Sequence, residues 1–329
     1  MEADLISNAM KRREALIRLL KLGGASAAAG AIAAWLSGRS RRPEERVQTV
    51  TKHTFTVSED PQLPVMVIAE GDDPRRLVRK AVQQLGGMHR FVSRGDVVVV
   101  KPNMAWDRTP DQAANTNPDV VAETVRLAME AGAKQVVVTD VSTNEPRRVF
   151  ERSGIAAAAR AEGALVILPE ERWFREVDLR GEVLGLWPVL EPFVTVDKVI
   201  NVPIAKHHHL TGATLGMKNW YGILGGQRHR LHQRIHESLA DLAGFMNPTL
   251  TILDAYRILL RNGPTGGNLE DVALKKTVIA STDPVAVDAY AAKAFWNLDQ
   301  RTLIYLKLAS DRGLGRIDFE NLRTVAISV

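Results

Sequence analysis

Val97-Val98-Val99-Val100-Lys101-Pro102-Asn103 is the stretch from which the fold can be read. Consecutive valines leave no alternate polar position for water. A β-branched run of this kind is stiff at χ1 and suits a strand buried on both faces. Such a strand needs helices above and below it, and the flanking sequence supplies them. Pro74 to Leu85 carries helical spacing and ends at Gly86-Gly87; Asn117-Pro118 opens a second helix, with Val121, Val125, Ala128 and Met129 on one face and a stop at Gly132. Val136 to Thr139 is another buried strand. Val65 to Ile68, Leu165 to Leu168, Lys198 to Val202, Thr249 to Leu253 and Thr277 to Ala280 read as further strands, and Val285 to Phe295 as a helix. The alternation predicts an α/β fold: a mainly parallel sheet with helices on both faces and a ligand cleft at the C-terminal edge of the strands.

The residues just beyond each strand are therefore informative. The valine strand runs into Lys101-Pro102-Asn103, and the next reaches Asp140. The Lys198–Val202 strand leads to Lys206-His207-His208-His209; the last two strands lead to Asp254 and to Asp283-Pro284. In a parallel sheet these polar groups converge on one cleft. Asp140 is read as a strand-end turn former and Asp288 as a capping or pairing group inside an apolar helix. Lys218-Asn219 is a polar pair within an apolar stretch, and a buried lysine needs either an acid or a bound anion.

Composition bounds the function. The 329 residues are 45% hydrophobic and 25% charged, as in a globular protein, with a formal charge of +5 much of which lies before residue 47. No basic stretch is interleaved with aromatics, so no nucleic-acid partner is expected. The absence of cysteine excludes disulfides, thiolate zinc sites, a cysteine nucleophile and a cysteine-ligated iron–sulfur cluster held by this chain alone. Gly225-Gly226 and Gly263-Pro264-Thr265-Gly266-Gly267 do not match a nucleotide-binding spacing.

The chain divides into 1–46 and 47–329. Lys11-Arg12-Arg13, with a weakly apolar run from Leu22 to Leu36, resembles a twin-arginine export signal. An uncleaved anchor beginning near Leu16 and an ordinary amphipathic helix are the alternatives. Arginine-rich residues 37–45 read as a linker. The expected location is the periplasmic side of the membrane, with the N-terminal segment as a tether and a membrane or membrane complex as a partner.

Six of the eight histidines lie between His207 and His236. If helical, His229, His232 and His236 fall roughly along one face, and histidines so spaced can chelate a divalent transition metal. A solvated basic helix is the alternative for that trio. The candidate metal ligands are His207, His209, His232 and His236; the candidate catalytic groups are Lys206, Lys218 and Asp254. Lys101, Asn103, Asn219 and Asp283 are candidate ligand-binding residues for an anionic small molecule.

The segments VVVVKPN, NVPIAKHHHLTGATLGMKNWYGILGG, TILDAYRILLRNGPTGG and IASTDPVAVDAYAAKAF resemble, in order, the successive blocks of the family of domain of unknown function 362. The resemblance runs from about Val65 to beyond Phe295. It puts the family's lysine–histidine block on Lys206 and His207, its lysine–asparagine block on Lys218 and Asn219, and its acidic positions on Asp254, Asp283 and Asp288. Family members often carry ferredoxin-like cysteine segments, which this chain lacks. At the level of fold the arrangement is also distantly similar to lactate racemase-like proteins. Three functions are expected from these residues: a metal-dependent enzyme or redox-associated protein, a non-catalytic anion-binding protein, or an accessory subunit of a membrane complex.

Overall fold

The computed structural model describes residues 54–329; the expected signal or anchor lies outside them. Among these described residues twelve strands form in chain order: β1 (Met66–Glu70), β2 (Val97–Pro102), β3 (Gln135–Val138), β4 (Leu165–Val166), β5 (Phe174–Asp178), β6 (Leu186–Leu190), β7 (Lys198–Val202), β8 (Ile204–His208), β9 (Gly212–Thr214), β10 (Leu250–Leu259), β11 (Val272–Ser281) and β12 (Thr324–Ser328). The main sheet has the order β12-β1-β11-β10-β7-β2-β3-β4, β8 pairs with β10 and β9, and β5-β6 is a separate ribbon.

The valine strand behaves as its composition requires. Val98 and Val100 enter the core under the Pro74–Gln84 and Pro118–Glu130 helices. Val99 points the other way, into the core shared with Met217, Trp220 and Leu239. Each buried valine contributes about 1.5–3 kcal/mol relative to exposure, so both helical layers are held by one run. The period of two then puts Lys101 on the same face as Val99. This parity carries a charged side chain into the second layer.

Local signals start the helices. Asp73 accepts from the amides of Arg75 and Arg76 ahead of Pro74, and Asn117 accepts from Asp119 ahead of Pro118; losing such a cap costs about 1 kcal/mol. Leu77, Val78, Ala81 and Val82 form the buried face of the first helix. In the second, Val121, Val125 and Ala128 are buried as expected, but Met129 is exposed.

The sheet is mainly parallel, with two reversed strands: β11 in the main order, and β9 beside β8. β10, β7, β2, β3 and β4 run parallel, as do β1 and β12, whereas β11 is antiparallel to both β10 and β1. Consequently Asp283, just beyond β11, lies at the opposite edge from Lys101. β10 also runs five residues past Asp254, to Leu259, with an irregularity between Ala255 and Arg257. Asp254 is thus within a strand and not at its end. Among the described residues no helix is long and apolar enough to cross a membrane.

Candidate functional site

The site begins with the ends of β2 and β7, where Lys101 and Asn201 are register partners. Both lie on the face covered by the short Gly216–Asn219 helix. That helix is anchored from behind: Asp288, fully buried, accepts from the amides of Gly216 (2.7 Å) and Met217 (3.0 Å). Burial raises the Asp288 carboxyl to about 7 against the lowering effect of those two amides. The expected capping role is therefore met across the core, on a neighbouring helix.

Asn219 is the centre of the network. Its Oδ1 accepts from Lys101 Nζ and from Asn103 Nδ2, both at 3.0 Å, while its Nδ2 donates to the Lys101 carbonyl (3.2 Å) and to Asn201 Oδ1 (2.8 Å). All four hydrogen-bonding positions of the amide are used, which sets its orientation. Lys101 Nζ also donates to the Pro102 carbonyl at 2.9 Å and to Asp140 Oδ1 at 2.8 Å. Its three donors are saturated. Asp140 completes the pair by accepting from the Met104 amide (2.6 Å). Asp140 is thus more than a turn former: it is the counter-charge of a lysine with no exposed surface. Burial lowers the Lys101 pKa, and Asp140 opposes the shift.

Gly222 makes this approach possible. A Cβ there would overlap Asp140 Oδ1 and come within 2.7 Å of Lys101 Nζ. Glycine is required here by space alone.

From Asn103 the network passes to Lys206 on β8. Lys206 Nζ donates to Asn103 Oδ1 (3.0 Å) and to the Ala114 carbonyl (2.6 Å). Burial, followed by the charge of Lys218, brings Lys206 down to about 7.

Lys218 differs. It is 9% exposed, yet among the described residues its ammonium has no hydrogen bond and no ion pair. Its one close polar interaction is with the face of Tyr221, 3.9 Å from the ring centroid. Burial, with Arg228 second, lowers it to about 7. Arg228 is tied down by the carbonyls of Val141 (2.7 Å), Tyr221 (3.1 Å) and Ser142 (2.7 Å), and burial lowers its pKa too.

These groups line one cavity of about 270 Å³. Asn103, Asp140, Lys206, Lys218, Asn219 and Arg228 form much of its polar wall, with His208, His209, His229 and His232; Trp106, Val141, Leu210, Tyr221 and Pro264 form much of the apolar one. Buried cations outnumber the single carboxylate. Chemically, such a cavity favours an anion, and amines near neutrality can also exchange protons.

The cavity collects Asn103, Lys206, Lys218, Asn219, His209 and His232 from the expected residues, with Lys101 directly behind. It does not collect His207, His236, Asp254 or Asp283. Asp254 instead accepts from the amides of Asn117 (2.7 Å) and Tyr256 (3.0 Å), steadying the start of a helix; burial raises it to about 6. Asp283 caps the Pro284–Trp296 helix and meets Arg316. His207 Nδ1 accepts from the Gly263 amide at 3.2 Å. The stretch that would align His229, His232 and His236 if helical is a 3₁₀ segment, Arg228–Arg234, that turns α-helical only at Ile235; His229 and His232 line the cavity and His236 does not. His232 Nδ1 lies 3.0 Å from the His229 carbonyl, and His236 stacks on Tyr305. Among the described residues no three histidine or carboxylate groups form a set able to hold a metal ion.

Sequence reasoning missed Arg228, Tyr221 and Trp106, and preferred His207 and His209 where the cavity takes His208 and His209. His208 is buried and accepts from the Leu210 amide at 3.2 Å; burial, with Lys218 second, pushes it to about 2, so it stays neutral. Neighbouring Arg230 is exposed, and nothing in the local sequence separates it from Arg228.

The thylakoid-associated protein sll1697 of Synechocystis sp. is 30% identical to this chain over 220 residues, 64% of this chain and 66% of its own length. The match thus spans just under two thirds of that relative. A solved structure, the lactate racemase apoprotein from Thermoanaerobacterium thermosaccharolyticum, aligns at TM-score 0.41 and 10% identity, covering 69% of this chain and 56% of that one. The sequence profile of domain of unknown function 362 matches residues 98–293, a span that contains Lys101, Asp140, Lys206, Lys218, Asn219 and Arg228. The chain belongs to the family of domain of unknown function 362.

Proposed function

We propose that this protein binds a small anionic molecule, carboxylate- or phosphate-bearing, in the Lys206–Lys218–Arg228 cavity, with Lys218 as the direct contact. One observation carries the reading: Lys218 is buried beside Arg228 and Lys206 with no acceptor of its own among the described residues. An uncompensated buried charge costs several kcal/mol, and a bound anion supplies the missing partner. Saturated Lys101 is a contrasting neighbour whose needs the protein meets itself. Lys206 and Lys218, both near 7, are suited to proton transfer with that ligand, which supports the catalytic role expected of them.

The test is thermal unfolding and calorimetry with inorganic phosphate, acetate and small dicarboxylates. The anion should stabilise the wild type, and Lys218→Met should weaken binding at least tenfold. A wild type indifferent to every anion, or a variant that binds equally, would remove the reading.

A metal-dependent variant draws support from His209 and His232, which line the cavity together with His208 and His229; among the described residues they form no set of three able to hold a metal ion, so a metal there would need oxygen donors from the ligand. Elemental analysis of wild type beside His209→Ala/His232→Ala decides it. Membrane association is also proposed. The relative's description as thylakoid-associated supports it, and loss of membrane recovery on removing residues 1–46 is the expected result.

A further inference from the structure

We infer that Lys218 is the amine of a Schiff-base site, and that its Nζ condenses with the carbonyl of a small 2-oxo carboxylate held in the cavity. The inference rests on the anion-binding reading and names both the substrate class and the bond formed.

Three buried lysines divide the roles between them. A lysine attacks a carbonyl with its nitrogen lone pair, so it must be neutral, unpaired and within reach of the ligand. Lys101 fails each condition: its three donors are committed, and Asp140 holds its charge. Lys206 lines the cavity but already serves Asn103 and the Ala114 carbonyl. Lys218 lines the cavity with no such commitment, resting on the Tyr221 ring. Its charged neighbours are of its own sign. Arg228 and Lys206 both act on it or are acted on by it, and no carboxylate contributes to its shift. Both burial and repulsion favour the free amine, and a group near 7 is substantially neutral at physiological pH.

The same neighbours suit the rest of the substrate. Arg228 and Lys206 offer positive charge for a carboxylate next to the carbonyl, and Trp106, Leu210 and Pro264 offer an apolar wall for the rest of the molecule. A cavity of about 270 Å³ is of the size for a small acid.

The step balances without an oxidant. The Lys218 nitrogen forms a bond to the carbonyl carbon, and the π pair moves to oxygen, which takes a proton. The nitrogen loses a proton to give the neutral carbinolamine. Protonation of its hydroxyl then releases water as the nitrogen lone pair closes the C=N bond. Lys206, which lines the same cavity, supplies that proton in its protonated form and recovers one from the iminium nitrogen.

The experiment is reductive trapping. Wild-type protein is incubated with glyoxylate, 2-oxobutyrate or 2-oxoglutarate and borohydride, and adducts are located by intact mass and peptide mapping. One adduct on Lys218, absent in Lys218→Arg and Lys218→Met variants whose folding is verified by circular dichroism, is the expected result. Thermal unfolding with 2-hydroxybutyrate and 2-hydroxyglutarate, which lack the carbonyl, runs in parallel. If these stabilise the wild type but no 2-oxo acid labels Lys218, the Schiff-base inference fails and the anion site stands. If labelling falls only on exposed lysines, the inference likewise fails. If neither hydroxy acid nor any other anion stabilises the protein, both readings fall together.

Discussion

At the C-terminal edge of β2, β3 and β8 the polar groups come from separate strands and are buried; between His229 and His236 they come from one stretch, and His229 and His232 are exposed. The second region is denser in chemically able side chains. The first is the organised one, because most of its side-chain hydrogen bonds join distant parts of the chain. Asn103 and Asn219 are 116 residues apart, and Lys206 and Asn103 are 103 apart. Convergence through the fold makes the hydrogen-bonded network, while His229 and His232 only border the cavity it forms.

The contrast can be broken most forcefully at Asp140. Asp140→Ala should lower the unfolding free energy by about 3–5 kcal/mol, since it strands the Lys101 charge in the core; denaturant unfolding reads this. Lys101→Met/Asp140→Leu should recover most of the loss. Lys218→Met should move stability the other way, raising it by about 1–3 kcal/mol, because the removed charge has no partner to leave behind. Should both single variants destabilise alike, the distinction between a paired and an unpaired lysine collapses.

The pH dependence sharpens the comparison. Lys206 and Lys218 are near 7 when the cavity is free, below their usual 10.5. The protonated forms bind an anion, so affinity should be high below pH 7 and fall as pH rises through it. Each lysine that titrates contributes up to about tenfold per pH unit. Calorimetry between pH 6 and 9 checks the slope, and Lys218→Met should flatten it. The smallest effect belongs to the histidine segment. Arg230→Gln, at an exposed position outside the cavity, should change stability by less than about 0.5 kcal/mol and leave anion binding within twofold, by the same two measurements.

Much of the architecture was legible because buried parallel strands announce themselves. Val97–Val100 and Val136–Val138 have no other good use than a strand covered on both faces. Strand direction was not legible. β11 is as apolar at its end as its parallel neighbours, so nothing in Thr277–Ala280 signals that it runs backwards and carries Asp283 to the far edge. Asp254 was misplaced for a related reason: the apolar pattern pauses there, but the strand continues. At the site, Lys101, Asn103, Lys206, Lys218 and Asn219 could be picked out as polar residues set in apolar surroundings. Arg228 could not. It lies in a basic run whose other members face water, and only the carbonyls of Val141 and Ser142 distinguish it.

The pairing of Lys101 with Asn201 across β2 and β7 has a bearing on assembly of the sheet. Four identical valines offer no side-chain cue as to which valine should sit opposite which neighbour, and a strand of repeated residues is prone to sliding. Sliding by one residue would turn Lys101 into the aliphatic layer under the Pro74–Gln84 helix and leave Asp140 and Asn219 facing a hydrocarbon surface. The lysine thus works as an alignment key, rejecting every shifted pairing that the valines alone would accept.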